Sequence, residues 1–201
     1  MYSKYLALGD SITAGFGDDV GDLTCRSWAQ WLAEGLAATA PGIAFENLAA
    51  SGATAIDVLR DQVPEIEVFQ PDLVSVTVGA NDARVPEWTA EDFRSNYASI
   101  LQAAADADAR IITGTYPDIE ASVLKAGGKI RDSWRLYFDR MHEVNAVIRE
   151  VSGTHGTCLI EMETPEASDP RFLSRDFTHP NALAYRWIGE VALGLLTAPP
   201  P

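Results

Sequence analysis

The chain has 201 residues, 47% of them hydrophobic and 22% charged, which suits one domain with a substantial core and leaves no room for a second full one. No segment supplies the roughly 18 unbroken apolar residues that a membrane helix requires. The net charge of -14 repels phosphate backbones and anionic lipid headgroups, so nucleic-acid and membrane-surface roles are disfavoured and a neutral or small substrate fits better.

Met1-Tyr2-Ser3-Lys4 runs straight into an apolar stretch, with no basic segment, long apolar core and small-residue cleavage site before it. That start is expected of a cytoplasmic protein, and equally of a secreted one whose leader has been replaced by methionine. Strand-like runs lie at residues 5–8, 43–48, 73–78, 110–115 and 157–162, with helical spacing between them. Trp28, Trp31, Leu32 and Leu36 repeat at three and four, as do Phe93, Tyr97, Ile100, Leu101 and Ala104. The second of these helices opens on Thr89-Ala90-Glu91-Asp92, a capping box with Asp in place of the usual Glu or Gln. A third helix is expected from about residue 134 to 151, with Met141, Val144 and Ile148 on one face, and a fourth from Pro180 to about Leu196. Residues 119–132, which contain Ala-Gly-Gly-Lys, are too long for a tight connection and read as a lid or rim loop. Residues 197–201 have nothing to bury and are expected to be a disordered Pro-rich tail, leaving residues 1–196 as the single domain. Cys25 and Cys158 are too few for a disulfide framework or a structural zinc site and read as buried free thiols.

Strands alternating with helices predict parallel strands joined by right-handed crossovers, hence a three-layer α/β/α sandwich with ligands at the carboxyl ends of the strands. Three turns at those ends carry chemistry. The first, Leu8-Gly-Asp-Ser11-Ile-Thr-Ala-Gly15, invites comparison with a phosphate cradle. It fails the P-loop spacing, because Phe16 stands where lysine is needed, and Gly15-Phe-Gly17-Asp-Asp-Val-Gly21 misses the dinucleotide spacing while placing two carboxylates at the pyrophosphate position. Ser11 is either a helix cap or a nucleophile whose following turn supplies N–H groups to developing negative charge. Asp176-Phe-Thr-His179-Pro-Asn181 is either a capping aspartate beside an incidental histidine or a base for Ser11, with the proline holding His179 in a loop at a helix mouth and Asp176 close enough to accept its Nδ1 hydrogen. His142 sits inside a helix and His155 in a Gly-rich turn at the opposite edge, so both compete poorly. The turns after the second and third strands place Gly52, whose backbone N–H can approach a ligand, and Asn81, whose amide is an oxyanion donor or ordinary turn chemistry.

Taken in order, Gly9-Asp10-Ser11, Gly52, Gly79-Ala-Asn81-Asp82 and Asp176-x-x-His179-Pro resemble the four blocks of the SGNH hydrolases, also called GDSL esterases and lipases. The resemblance spans residues 6 to about 188. It implies a flavodoxin-like sandwich with a five-stranded parallel sheet in the order 2-1-3-4-5. It implies Ser11 as nucleophile, His179 as base, Asp176 as its orienting acid, and an oxyanion hole made by the Ser11 and Gly52 backbone N–H groups and the Asn81 side chain. Asp10 and Asp82 read as turn-forming. Ile12 replaces the Leu of the family's original name, a common variation, and Thr13 occupies the final glycine position of the Gly-x-Ser-x-Gly elbow, which disfavours an α/β-hydrolase.

The expected reaction is acyl transfer to water through an acyl-enzyme, with no metal or organic cofactor. In this family the pocket walls come largely from loops after the strands, which makes Trp88, Tyr116 and Trp134 candidate pocket residues, although such aromatics also serve as packing anchors. A chain without an evident hydrophobic flap suits small soluble esters, with short-chain acyl or acetyl esters first. Sugar-ester deacetylation, then lysophospholipid or thioester hydrolysis, follow. Acyl transfer to an alcohol and a non-catalytic small-ligand binding domain on the same scaffold are the rival readings.

Overall fold

A computed structural model of the chain describes residues 2–39 and 41–198. Its sheet is built from β1 (Lys4–Gly9), β2 (Ala44–Asn47), β3 (Leu73–Thr77), β4 (Arg110–Gly114) and β5 (Cys158–Ile160), all parallel and in the order β2-β1-β3-β4-β5. Burial explains that order. Every residue of β3 is buried, as is every residue of β1 after Lys4, whereas β2 is largely exposed and β5 has three residues. A parallel strand covered on both faces needs a continuous apolar run, and only the central strands carry one.

The helices are α1 (Ser11–Ala14), α2 (Trp28–Thr39), α3 (Ala55–Asp61), α4 (Pro64–Phe69), α5 (Ala90–Asp106), α6 (Ile119–Lys125), α7 (Asp132–Thr154) and α8 (Ala182–Thr197). The connection β1–α2–β2 runs one way along the sheet and the later crossovers run the other. Right-handed crossovers therefore put α2 on one face and α3, α5 and α7 on the other. α8 returns to pack on α2, and α3 and α7 both pack on α5. The direction changes between β1 and β3, paired from Tyr5 with Leu73 to Gly9 with Thr77, so a crevice opens at their carboxyl ends.

Three expectations need correction. Residues 119–132 are not simply a loop: Asp118 caps Ala121 at 2.8 Å and starts α6, which buries Ile119, Ser122 and Val123. Between Gly52 and β3 the chain forms the two short helices α3 and α4. The last helix begins not at Pro180 but after Asn181, whose Oδ1 accepts from the Leu183 and Ala184 N–H groups at 3.0 and 3.3 Å. Thr197 closes that helix, and residues 199–201 of the expected tail lie outside the described residues. Both cysteines are free and half-buried rather than buried. The Thr89 cap does form, its Oγ accepting from the Asp92 N–H at 3.0 Å.

Candidate active site

The turn after β1 is held from all sides. Gly9 has φ of 141°, and a Cβ there would sit 2.2 Å from the Thr77 carbonyl oxygen, so no larger residue lets β1 and β3 stay paired. Gln62, buried, exchanges two hydrogen bonds with the Gly9 backbone, accepting from its N–H at 2.8 Å and donating to its carbonyl at 2.9 Å. Asp10 then caps α1 by accepting from the Ile12 N–H at 3.0 Å, while Asn47 closes the other end by donating to the Thr13 carbonyl at 2.7 Å. The second Asp10 oxygen accepts from the Tyr116 hydroxyl at 3.2 Å. Burial without a cationic partner pushes the Asp10 carboxyl up to about 7.

Ser11, presented by this turn, has its Oγ 2.9 Å from His179 Nε2, and His179 Nδ1 lies 2.6 Å from Asp176 Oδ2. Asp176 Oδ1 accepts in addition from the backbone N–H groups of Thr178 at 2.9 Å and His179 at 3.0 Å. Partial burial raises the Asp176 carboxyl, but these donors and the imidazole outweigh it and hold the group below the usual carboxylate range. With Nδ1–H given to Asp176, Nε2 is left to accept the Ser11 hydroxyl hydrogen. The loop itself is pinned: the Ser174 N–H donates to the His179 carbonyl, Ser174 Oγ to the Pro180 carbonyl, and Asn181 Nδ2 to the carbonyls of Arg171 and Leu173. His142 pairs with Glu163 and His155 bonds the Val151 carbonyl, both inside α7's surroundings and away from Ser11.

The two remaining blocks join the same end of the sheet. Gly52 has φ of 85°, and a Cβ there would meet nothing within 4 Å, so its left-handed backbone rather than crowding calls for glycine. Asn81 Nδ2 donates to the Ala53 carbonyl at 3.0 Å, which fixes the amide and leaves its second hydrogen available. Asp82 accepts the Ala55 N–H with both oxygens, at 3.0 and 3.1 Å, and its burial pushes its carboxyl up to about 6. The Ala50 N–H donates to the Gly9 carbonyl at 3.1 Å, so the turns after β1, β2 and β3 are tied to one another. Among the described residues, neither the Ser11 nor the Gly52 N–H is donated to a protein acceptor.

The three aromatic candidates part company. Tyr116 is fully buried because Asn145 clamps its backbone at both N–H and carbonyl, at 2.7 and 2.9 Å, turning the ring inward. There it borders, with Ile12, an apolar cavity of about 30 Å³, and its hydroxyl bridges toward the Ala80 N–H as well as Asp10. Trp88 packs beneath the Arg140 guanidinium, 5.4 Å from its ring, while Arg140 donates to the carbonyls of Ala83, Val85 and Pro86. It is a packing anchor. Trp134 does border open cavities, one of about 270 Å³ beside Asp176 and one of about 330 Å³ beside Thr178. Gln62 and Asn47 were not foreseen, since their partners Gly9 and Thr13 lie 53 and 34 residues away.

A five-stranded parallel sheet in the order 2-1-3-4-5 flanked by helices is the α/β fold of GDSL-type hydrolases. Residues 7–187 match the profile of the GDSL-like Lipase/Acylhydrolase family, and the chain belongs to that family. It is accordingly a carboxylic ester hydrolase. Among solved structures it is similar to the lipase/acylhydrolase from Enterococcus faecalis, with 24% identity, a TM-score of 0.72 and coverage of 94% of this chain and 93% of that one. It is similar also to an acetyl xylan esterase from Geobacillus stearothermophilus, at 17% identity and a TM-score of 0.74, covering 97% and 94%. A third likeness is to the psychrotrophic esterase EstA from Pseudoalteromonas sp., at 18% identity and a TM-score of 0.70, covering 96% of each chain. No curated protein matches the sequence. No helix among the described residues is long and apolar enough to cross a membrane.

Proposed function

We propose that the chain is a single esterase domain over residues 1–196 that hydrolyses small, dissolved carboxylic esters of short acyl groups, acetyl foremost. The observation that carries this reading is the run Ser11 Oγ to His179 Nε2 at 2.9 Å and His179 Nδ1 to Asp176 Oδ2 at 2.6 Å. In the first half-reaction Ser11 Oγ attacks the ester carbonyl carbon as its proton passes to Nε2. The carbonyl oxygen gains the negative charge, which the Ser11 and Gly52 N–H groups and the free Asn81 N–H stabilise. Collapse of the tetrahedral intermediate expels the alcohol, which takes the proton from Nε2. Water, deprotonated by the same nitrogen, then releases the acid and restores Ser11.

The preference for short acyl groups draws support from the likeness to an acetyl xylan esterase. A panel of p-nitrophenyl esters of increasing acyl length, run beside acetylated sugars with Ser11→Ala as the blank, tests the reading. Turnover highest at the acetyl ester and abolished in Ser11→Ala is expected, together with fluorophosphonate labelling of the wild type alone. Labelling of neither protein refutes the esterase mechanism and favours a binding domain, and a rise in turnover with chain length refutes the short-acyl preference.

A further inference from the structure

The cavity of about 330 Å³ next to the site has a chemistry at odds with the protein's overall acidity. It is lined by Arg84, Ser133, Trp134, Tyr137 and Thr178. Two of these neighbour the triad and the third-strand block directly: Thr178 precedes His179, and Arg84 stands three residues after Asn81. The cavity therefore adjoins the loops that carry His179 and Asn81.

Arg84 is exposed, and its guanidinium carbon sits 4.9 Å from the centre of the Tyr137 ring, which orients its plane. Most of this chain's arginines face a carboxylate, but among the described residues Arg84 forms no ion pair, and neither do Lys129 and Arg131 around the cavity on the other side of Trp134. Tyr137 is nine-tenths buried, and its Oη, with the Arg84 guanidinium beside it, reaches no acceptor for its own hydrogen, which a ligand oxygen would supply. The 23-residue α7 also begins at this wall, and no side chain caps it, so its first N–H groups and the Ser133 hydroxyl add positive potential. The nearby carboxylates are engaged elsewhere: Asp132 bonds Arg135 at 3.2 Å, and Asp176 is occupied by His179 and the loop backbone.

We propose that this cavity is the subsite for a carboxylate carried by the ester substrate, with Arg84 as the residue that selects it. The planar fork of Arg84 matches a carboxylate with two parallel hydrogen bonds, which a lysine cannot reproduce. The proposal rests on the esterase reading and names the substrate class that reading leaves open: an ester bearing a free acid on its acyl or its alcohol part.

Two matched pairs of esters test it. In p-nitrophenyl hemisuccinate against its methyl ester the carboxylate is on the acyl side, and in O-acetyl-lactate against its methyl ester it is on the alcohol side. The wild type should favour the charged member of one pair by about tenfold or more in kcat/KM, the worth of one charge-assisted hydrogen-bonded contact. Arg84→Gln should bring that ratio to near one, and Arg84→Lys should fall between. A wild-type ratio at or below one in both pairs, or a preference that Arg84→Gln leaves intact, overturns the proposal. Binding of monomethyl succinate and dimethyl succinate to Ser11→Ala, followed by calorimetry, separates the two readings because it needs no turnover. Tighter binding of the monoester that depends on Arg84 supports the subsite even if no ester is hydrolysed, and equal binding of the two overturns it even if hydrolysis is brisk.

Discussion

Replacing Asp10 by Asn should make the protein more stable at neutral and alkaline pH. Asp10 is 1% exposed and faces a backbone N–H and a tyrosine hydroxyl but no cation. Its carboxyl is pushed up from 3.8 to about 7, so between those values the folded chain keeps a proton that the unfolded chain has released. Stability then falls as pH rises through this window, because folding favours the protonated form; above 7 the full difference is about 4 kcal/mol, at 1.36 kcal/mol per pH unit. From pH 5 to pH 8 the Asp10 contribution alone should drop by about 3 kcal/mol on the same arithmetic. Asp82, pushed up to about 6, steepens the slope in the wild type and the variant alike. An asparagine keeps the oxygen that accepts from Ile12 and offers its amide to the Tyr116 hydroxyl, so the cap survives while the buried charge is gone. Urea unfolding at half-unit pH steps measures both proteins. Parallel curves of unfolding free energy against pH, with no convergence toward pH 4, would refute the reasoning.

Three further outcomes follow from the geometry. Asn81→Ala should lower kcat by roughly two to three orders of magnitude with little change in KM, and wild-type turnover on p-nitrophenyl acetate would sink its role as an oxyanion donor. Asp176→Asn should cost roughly three to four orders in kcat by releasing the imidazole tautomer, whereas a loss below tenfold would make Asp176 only a cap for the Thr178 and His179 N–H groups. Gln62→Ala leaves the buried Gly9 N–H unpaired and should destabilise the fold by about 2–4 kcal/mol in chemical denaturation; a midpoint equal to wild type would show that the strand exit does not depend on it.

What was legible in the chain was whatever repeats or stands at a fixed offset. β1, β3 and β4 were legible as apolar runs because parallel strands buried on both faces cannot alternate, while the largely exposed β2 and the three-residue β5 showed as weaker ones. The Gly-Asp-Ser and Asp-x-x-His-Pro blocks were readable because their offsets are local. α3 and α6 escaped for the same reason in reverse: at seven residues each, they show barely one repeat of helical spacing. Their caps were nonetheless in view, as Thr54-x-x-Asp57, which forms at 3.0 Å, and as Asp118. Pro180 pointed to a helix start two residues early because Asn181 is the better acceptor for the orphan N–H groups. The inward turn of Tyr116 and the clasp of Gln62 on Gly9 had no signal at all, since both depend on partners 29 and 53 residues away.

Ser11 and His179 stand 168 residues apart, at opposite ends of the chain's path through the sheet. The Ser11 turn is held by β1, β3, Asn47, Gln62 and Tyr116, all earlier in the chain than His179, which arrives from the loop leading into α8 on α2. In the proposed mechanism the serine therefore stays unactivated until the loop before the last helix brings His179 to it. Recovery of activity after denaturation should therefore time the closure of this 168-residue loop.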